Sequence, residues 1–131
     1  MNKFCKAVAD VLEVDEVSLD DKFRETPGWC SLLGFGLLVM MENDFHAPLN
    51  IEQFLRLSTV RDLYREAFGA FAANLFGVDR ATALAAEYNS IAQWDSVNHL
   101  RLVMEAEQRF GVAYPLERIP QLRTIDDFLV P

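Results

Sequence analysis

Trp94-Asp95-Ser96-Val97-Asn98-His99-Leu100-Arg101-Leu102-Val103-Met104-Glu105-Ala106-Glu107-Gln108-Arg109-Phe110 is the stretch that decides the fold. Asp95 is a good N-cap, because its carboxylate can accept from the free amides of a first helical turn. After it, Val97, Leu100, Leu102, Val103, Ala106 and Phe110 recur at spacings that mark an apolar helix face. The spacing predicts a helix over 96–110 with the Ser96 hydroxyl near solvent at its start. A phosphate ester there is favoured by the helix dipole and by unpaired first-turn amides. Asp-Ser before an apolar run is also a common plain helix start, so the pair alone says little about function.

The order of the surrounding segments adds weight. Leu75-Phe76-Gly77-Val78-Asp79 comes first, and a loop then leads into Trp94-Asp95-Ser96. Phe110-Gly111-Val112 follows, and Thr124-Ile125-Asp126-Asp127-Phe128-Leu129 closes the series. With these parts in this order, residues 68–129 resemble an acyl carrier protein, with Ser96 opening the second helix and Thr124 the last. The resemblance implies a four-helix bundle and 4′-phosphopantetheine joined covalently to Ser96. It also implies Asp95 as the neighbour that the attaching enzyme usually expects. Partner enzymes would read the second helix, through Asp95, Val97, Arg101 and Met104.

The segment before this one repeats it. Laying residues 29–64 on 94–129 without a gap pairs Trp29 with Trp94, Ser31 with Ser96, and Glu42 with Glu107. Phe45 meets Phe110, Thr59 meets Thr124, and Asp62 meets Asp127. Ile51, Phe54, Val60 and Leu63 fall on Leu116, Ile119, Ile125 and Phe128, apolar for apolar. Upstream, Leu12-Glu13-Val14-Asp15 matches Phe76-Gly77-Val78-Asp79 after a one-residue shift in the loop. The expected architecture is all-α: two carrier-like four-helix bundles in tandem, 1–66 and 67–131.

In the first unit a helix is predicted over 3–14, with Phe4, Ala7, Val8, Val11 and Leu12 inward. A long acidic loop follows, closed by the turn signal Pro27-Gly28. The second helix runs from Ser31 to Phe45, with Leu32, Phe35, Leu38 and Met41 as its core stripe. Its outer positions, Leu33, Gly34, Gly36 and Met40, are also apolar or small, and an apolar outer face of that kind marks an interface. Asn50 and Gln53 form a capping pattern for a short third helix, and Thr59 caps a fourth. Between the units no Pro-, Ser- or charge-rich tether occurs. Val60, Leu63, Tyr64, Ala67, Phe68, Phe71, Ala72, Leu75 and Phe76 instead keep helical spacing, which predicts one continuous helix over 59–76, with Gly69 its only poor helix former. The second unit then gives a loop over 78–93, a short helix opened by Pro115, and a last helix from Thr124.

Composition bounds the function classes. The chain has 131 residues, half of them apolar, and a net charge of −8. That charge argues against nucleic acid, whose phosphates need basic patches, and suits basic partners. The absence of a signal-like segment or a bilayer-length apolar run predicts a cytoplasmic protein without a membrane span. Cys5 and Cys30 have no metal-ligand or CxxC spacing and read as reduced thiols. No triad, metal motif or phosphate loop is present, so an enzyme is not expected.

Two function classes stand. The first is a tandem acyl carrier, holding fatty-acid or polyketide-type intermediates as thioesters on 4′-phosphopantetheine at Ser96, and at Ser31 if that unit is modified too. Its partners would be a phosphopantetheinyl transferase and acyl-loading and acyl-transfer enzymes. The second is an interaction or adaptor protein built on degenerate carrier folds. Asp95-Ser96 favours the first reading, and Cys30-Ser31, where cysteine replaces the aspartate, favours the second. The solvent-facing positions Asn98, Arg101, Glu105, Gln108 and Arg109 give a mixed-charge second helix where the family's is usually acidic. His46 and His99 read as isolated surface imidazoles, and Trp29 and Trp94 as loop anchors.

Overall fold

The computed structural model describes residues 2–130, which are all-α. Among these residues, strand-like pairing is confined to two isolated antiparallel bridges, Lys22 with Thr59 and Glu87 with Thr124. The chain divides into two compact units, Met1–Ala67 and Phe68–Pro131.

The first unit opens with α1 (Lys3–Leu12), where the Asn2 side chain accepts from the Cys5 amide at 2.7 Å. Phe4, Cys5, Val8, Ala9 and Leu12 form its buried stripe. Glu13 turns left-handed at φ 59° to end the helix, and the Val14 amide returns to the Ala9 carbonyl at 3.0 Å. Inside the acidic loop a single 3-10 turn, Phe23–Glu25, drives Phe23 into the core. Arg24 lies over the rings of Phe23 and Phe54 and donates to the carbonyls of Phe54, at 2.8 Å, and of Leu57. Helices α2 (Ser31–Phe45) and α3 (Ile51–Leu55) follow, and α3 carries the expected reciprocal Asn50–Gln53 cap.

The packing face of α2 departs from the expected stripe. Gly34, Leu37, Met40, Met41 and Phe45 are buried, whereas Leu32 and Phe35 are 74% and 64% exposed. A helix apolar on all sides has no amphipathic phase, so hydrophobic spacing cannot choose its inner face. Close approach chooses it instead. A methyl group on Gly36 would sit 3.0 Å from Val11 of α1, and one on Gly34 would touch the Trp29 and Phe54 rings. The small residues expected on an outer interface thus mark inner contacts.

Helix α4 (Val60–Phe76) runs through the sequence boundary between the units. Gly77, at φ 72°, stops it, and the Val78 amide bonds back to Ala73 at 3.0 Å. Where a plain loop was expected over 78–93, α5 (Arg80–Ala85) forms, capped by the Asp79 carboxylate on the Thr82 amide at 2.7 Å. Helix α6 (Ser96–Phe110) buries His99, Leu102, Val103, Ala106 and Phe110, and leaves Val97 and Leu100 exposed, contrary to the face expected for those two. The short helix after Pro115 is a 3-10 helix, Leu116–Gln121, because Pro120 inside it removes an amide donor. Helix α7 (Ile125–Leu129) completes the second unit. Phe68 stacks on Phe110 at 5.2 Å and meets Phe128 at 5.3 Å in its core.

The shift that lays Trp29 on Trp94 carries local geometry as well. It moves the Lys22–Thr59 bridge onto Glu87–Thr124, and the Phe23 amide bond to Ser58 onto that of Tyr88 to Arg123. Asp62 accepts from the amides of Ser58 and Thr59 at 2.8 and 3.1 Å. Asp127 accepts from Arg123 and Thr124, both at 3.0 Å. The two helix ends, Val14 to Ala9 and Val78 to Ala73, correspond only after the one-residue offset seen in the sequence.

Candidate functional site

Ser31 and Ser96 are each the first residue of a 15-residue helix, and both are exposed. Their surroundings differ in the residue before. Asp95 has extended backbone, and its carboxylate accepts from the Asn98 amide at 2.9 Å. The Asn98 side chain in turn donates to the Gln93 carbonyl at 2.7 Å, tying the loop to the first turn of α6. Cys30 has the same extended backbone, but its side chain makes no cap hydrogen bond. Each serine therefore offers an open hydroxyl beside the positive end of a helix dipole, a setting that suits a phosphodiester. The donor set fits covalent attachment of 4′-phosphopantetheine, which needs an accessible hydroxyl and room for a linear arm.

Along α6 the other expected recognition residues share the outer face. Val97 and Met104 are 66% and 65% exposed, and Arg101 is exposed and pairs with Glu105 at 3.5 Å. Leu100 lies between them, also exposed. On α2 the equivalent places are Leu32, Phe35 and Val39, so each serine heads an outward apolar stripe on its own helix. The stripe on α6 is flanked by charge, and that on α2 is free of it until Glu42.

His99, expected on the surface, is buried one turn below Ser96. Its Nδ1 accepts from the Trp94 indole N–H at 3.0 Å, and its Nε2 lies 3.0 Å from the Ile119 carbonyl. An indole can only donate and a carbonyl can only accept, which assigns the neutral tautomer with its hydrogen on Nε2. Tyr88 and Phe128 complete the ring's surroundings, at 4.7 and 6.0 Å. The legible signal was helix phase, since position 99 shares its face with Leu102, Val103 and Ala106. His46, by contrast, is an exposed left-handed residue ending α2. Trp94 is fully buried and Trp29 half-buried, which suits loop anchoring. Cys5 is buried and Cys30 exposed, and both are free thiols. Among the described residues no helix is long and apolar enough to cross a membrane.

Residues 2–66 match the family model described as phosphopantetheine attachment site. The match covers the unit with Cys30-Ser31, whereas the resemblance read from the sequence rests on the unit with Asp95-Ser96. No curated protein matches the chain, and no solved structure does.

Proposed function

The chain belongs, through residues 2–66, to the phosphopantetheine-attachment family, and on that footing we propose that it is a tandem acyl carrier protein modified at both Ser96 and Ser31. Domains of this family are carriers, not catalysts, and hold 4′-phosphopantetheine covalently. The cofactor's terminal thiol supplies the chemistry, carrying an acyl group as a thioester. The protein's part is to present that arm and to be recognised by the enzymes that load and unload it.

One observation carries the reading to the second unit. A single sequence shift superimposes serine on serine at the head of equal helices, together with the bridge and the carboxylate cap of the helix that closes each unit. The family match supports Ser31 directly, because that residue lies within the matched segment. Asp95 supports Ser96, since it offers a capped, exposed carboxylate beside the hydroxyl, where Cys30 offers a softer sulfur to a transferase that works with a hard metal ion. Asp95, Val97, Arg101 and Met104 form the recognition face on α6. The cargo is an acyl group of the fatty-acid or polyketide type, and the setting is cytoplasmic.

Coexpression with a promiscuous phosphopantetheinyl transferase and intact mass measurement test the reading. The wild-type chain should gain two cofactor masses, Ser31→Ala should gain one readily, and Ser96→Ala should gain one more slowly. A folded chain that gains none is an adaptor built on carrier folds, and the proposal then fails. Equal rates for the two single variants would overturn the ranking alone.

A further inference from the structure

Beneath each serine, three equivalent positions meet between the second helix and the short helix that follows it. In the first unit they are Trp29, Gly34 and Phe54, which meet through carbon: a methyl group on Gly34 would lie 3.4 Å from the Trp29 ring and 3.7 Å from that of Phe54. In the second they are Trp94, His99 and Ile119, joined by two hydrogen bonds of 3.0 Å through the imidazole. The same three places thus hold an apolar contact in one unit and a polar strap in the other. His99 is three residues after Ser96, so the strap lies within the first turn of the helix on which an arm would start.

We infer that His99 is a specificity-determining residue that closes the second unit's interior to its own cargo, so that an acyl chain on the Ser96 arm stays in solvent. The inference deepens the carrier reading and rests on it. An acyl chain on a flexible arm gains by leaving water, and the buried apolar side chains under α6 are Trp94, Leu102, Phe110 and Phe128. To enter between α6 and the 3-10 helix Leu116–Gln121, the chain must push the imidazole out of its place. That move strips the buried indole N–H of its acceptor and the Ile119 carbonyl of this donor, and a hydrocarbon replaces neither. Tyr88 and Phe128, packed against the ring, hold it there. In the first unit the imidazole's place is taken by Gly34, which has no side chain to displace, and the Phe54 carbonyl is held instead by Arg24 from the preceding loop at 2.8 Å. The second unit therefore presents cargo openly, which suits short or polar acyl groups and rapid hand-over to a partner.

The test uses the full chain in a Ser31→Ala background, loaded at Ser96 by a transferase with acetyl- or octanoyl-coenzyme A. Loading joins the Ser96 Oγ to the arm's phosphate and releases adenosine 3′,5′-bisphosphate, and intact mass records it. Hydroxylamine then cleaves each thioester to the hydroxamic acid and frees the thiol, at a rate that falls when the thioester is drawn toward the protein. With His99 in place the two acyl forms should be cleaved at rates within about twofold of each other, as expected when no methylene is buried. In His99→Gly, which installs the first unit's residue, and in His99→Ala, the octanoyl form should be slowed by about tenfold or more relative to acetyl, as burial of a few methylenes allows. Circular dichroism of each variant identifies those that stay folded, and only these are read. An octanoyl form already protected with His99 in place overturns the inference, whatever the variants do. So does an unchanged ratio in a folded variant. A chain that takes no arm at Ser96 overturns the carrier reading of this unit, and the inference with it.

Discussion

Asp95 and Cys30 occupy one position before two equal helices, and only the carboxylate closes a first-turn bond. Replacing Asp95 with alanine should cost the second unit about 1 kcal/mol, the usual worth of such a cap. Cys30→Asp should stabilise the first unit by up to about 1 kcal/mol on the same ground. Denaturant unfolding of the two variants checks both signs, and a neutral Cys30→Asp would mean that the α2 start cannot close the bond. The cap at Asp95 was legible because its chemistry is local. The inward place of His99 is also encoded in the sequence as helix phase, but a polar residue read by its type is sent to the surface. Only the fold reveals that an indole and a carbonyl stand ready on its two sides. Residue identity predicts exposure well until a partner for each polar atom is built into the core.

Elements with a strong internal signal were readable, and those shaped by contact were not. The reciprocal Asn50–Gln53 cap and the unbroken apolar spacing before Gly77 define α3 and α4 from sequence alone. Helix α5, six residues long, is too short to show a period, and α2 is too uniformly apolar to show a phase. Gly69 is the instructive case. In sequence it weakens α4 by about 1 kcal/mol relative to alanine. In the structure an added methyl would lie 2.6 and 2.7 Å from Cδ2 and Cγ of Leu84, so that side chain, or α5 with it, would have to shift. Overpacking of that kind costs about 1–3 kcal/mol and outweighs the propensity gain. Gly69→Ala should therefore destabilise the second unit by about 1 kcal/mol, and adding Leu84→Ala should recover stability; a stabilising Gly69→Ala single variant would refute the close packing.

The closing helix of the second unit also sets a pH window. Partial burial works against charge on Asp127, but the amides of Arg123 and Thr124, the Thr124 hydroxyl and the nearby Arg118 hold its carboxyl below the ordinary value. Its stabilising effect is present above the unfolded aspartate value of about 3.9 and is lost as pH falls through the lower folded value. Burial first, then the neighbouring Glu107, pushes the Tyr114 phenol well above its ordinary range despite Arg118, and its hydroxyl donates to the Phe128 carbonyl at 2.7 Å. That contribution is whole below the unfolded tyrosine value of about 10 and is lost as pH rises beyond it. Thermal melts should show Asp127→Asn flattening the acid limb and Tyr114→Phe the alkaline limb. Unchanged limbs would show that other groups set the window.

At the scale of the whole molecule, the sequence carries two kinds of information about the site. The proposed attachment positions follow from order and repetition, because a serine, a tryptophan before it and a capped closing helix recur at one shift. The face a partner meets could not be assigned from hydrophobicity, since Val97 and Leu100 read as core by spacing yet lie on the outside. Apolar side chains left outward on the helix that starts with Ser96 cost solubility, and contact with another protein would explain such a stripe. On α6 the stripe of Val97, Leu100 and Met104 runs beside the Arg101–Glu105 pair, so an approaching enzyme meets carbon flanked by both charges. Met104 is 65% exposed, and a substitution there should leave unfolding free energy within about 0.5 kcal/mol of wild type. Met104→Asp should nevertheless slow cofactor transfer to Ser96 by on the order of tenfold, as loss of a contact at the heart of an interface does. The exposed polar position Gln108, one turn further on, provides the comparison: Gln108→Asp should leave the rate near wild type. Initial transfer rates in a Ser31→Ala background decide it, and equal rates for the two variants would place the enzyme's footprint elsewhere than on the apolar stripe of α6.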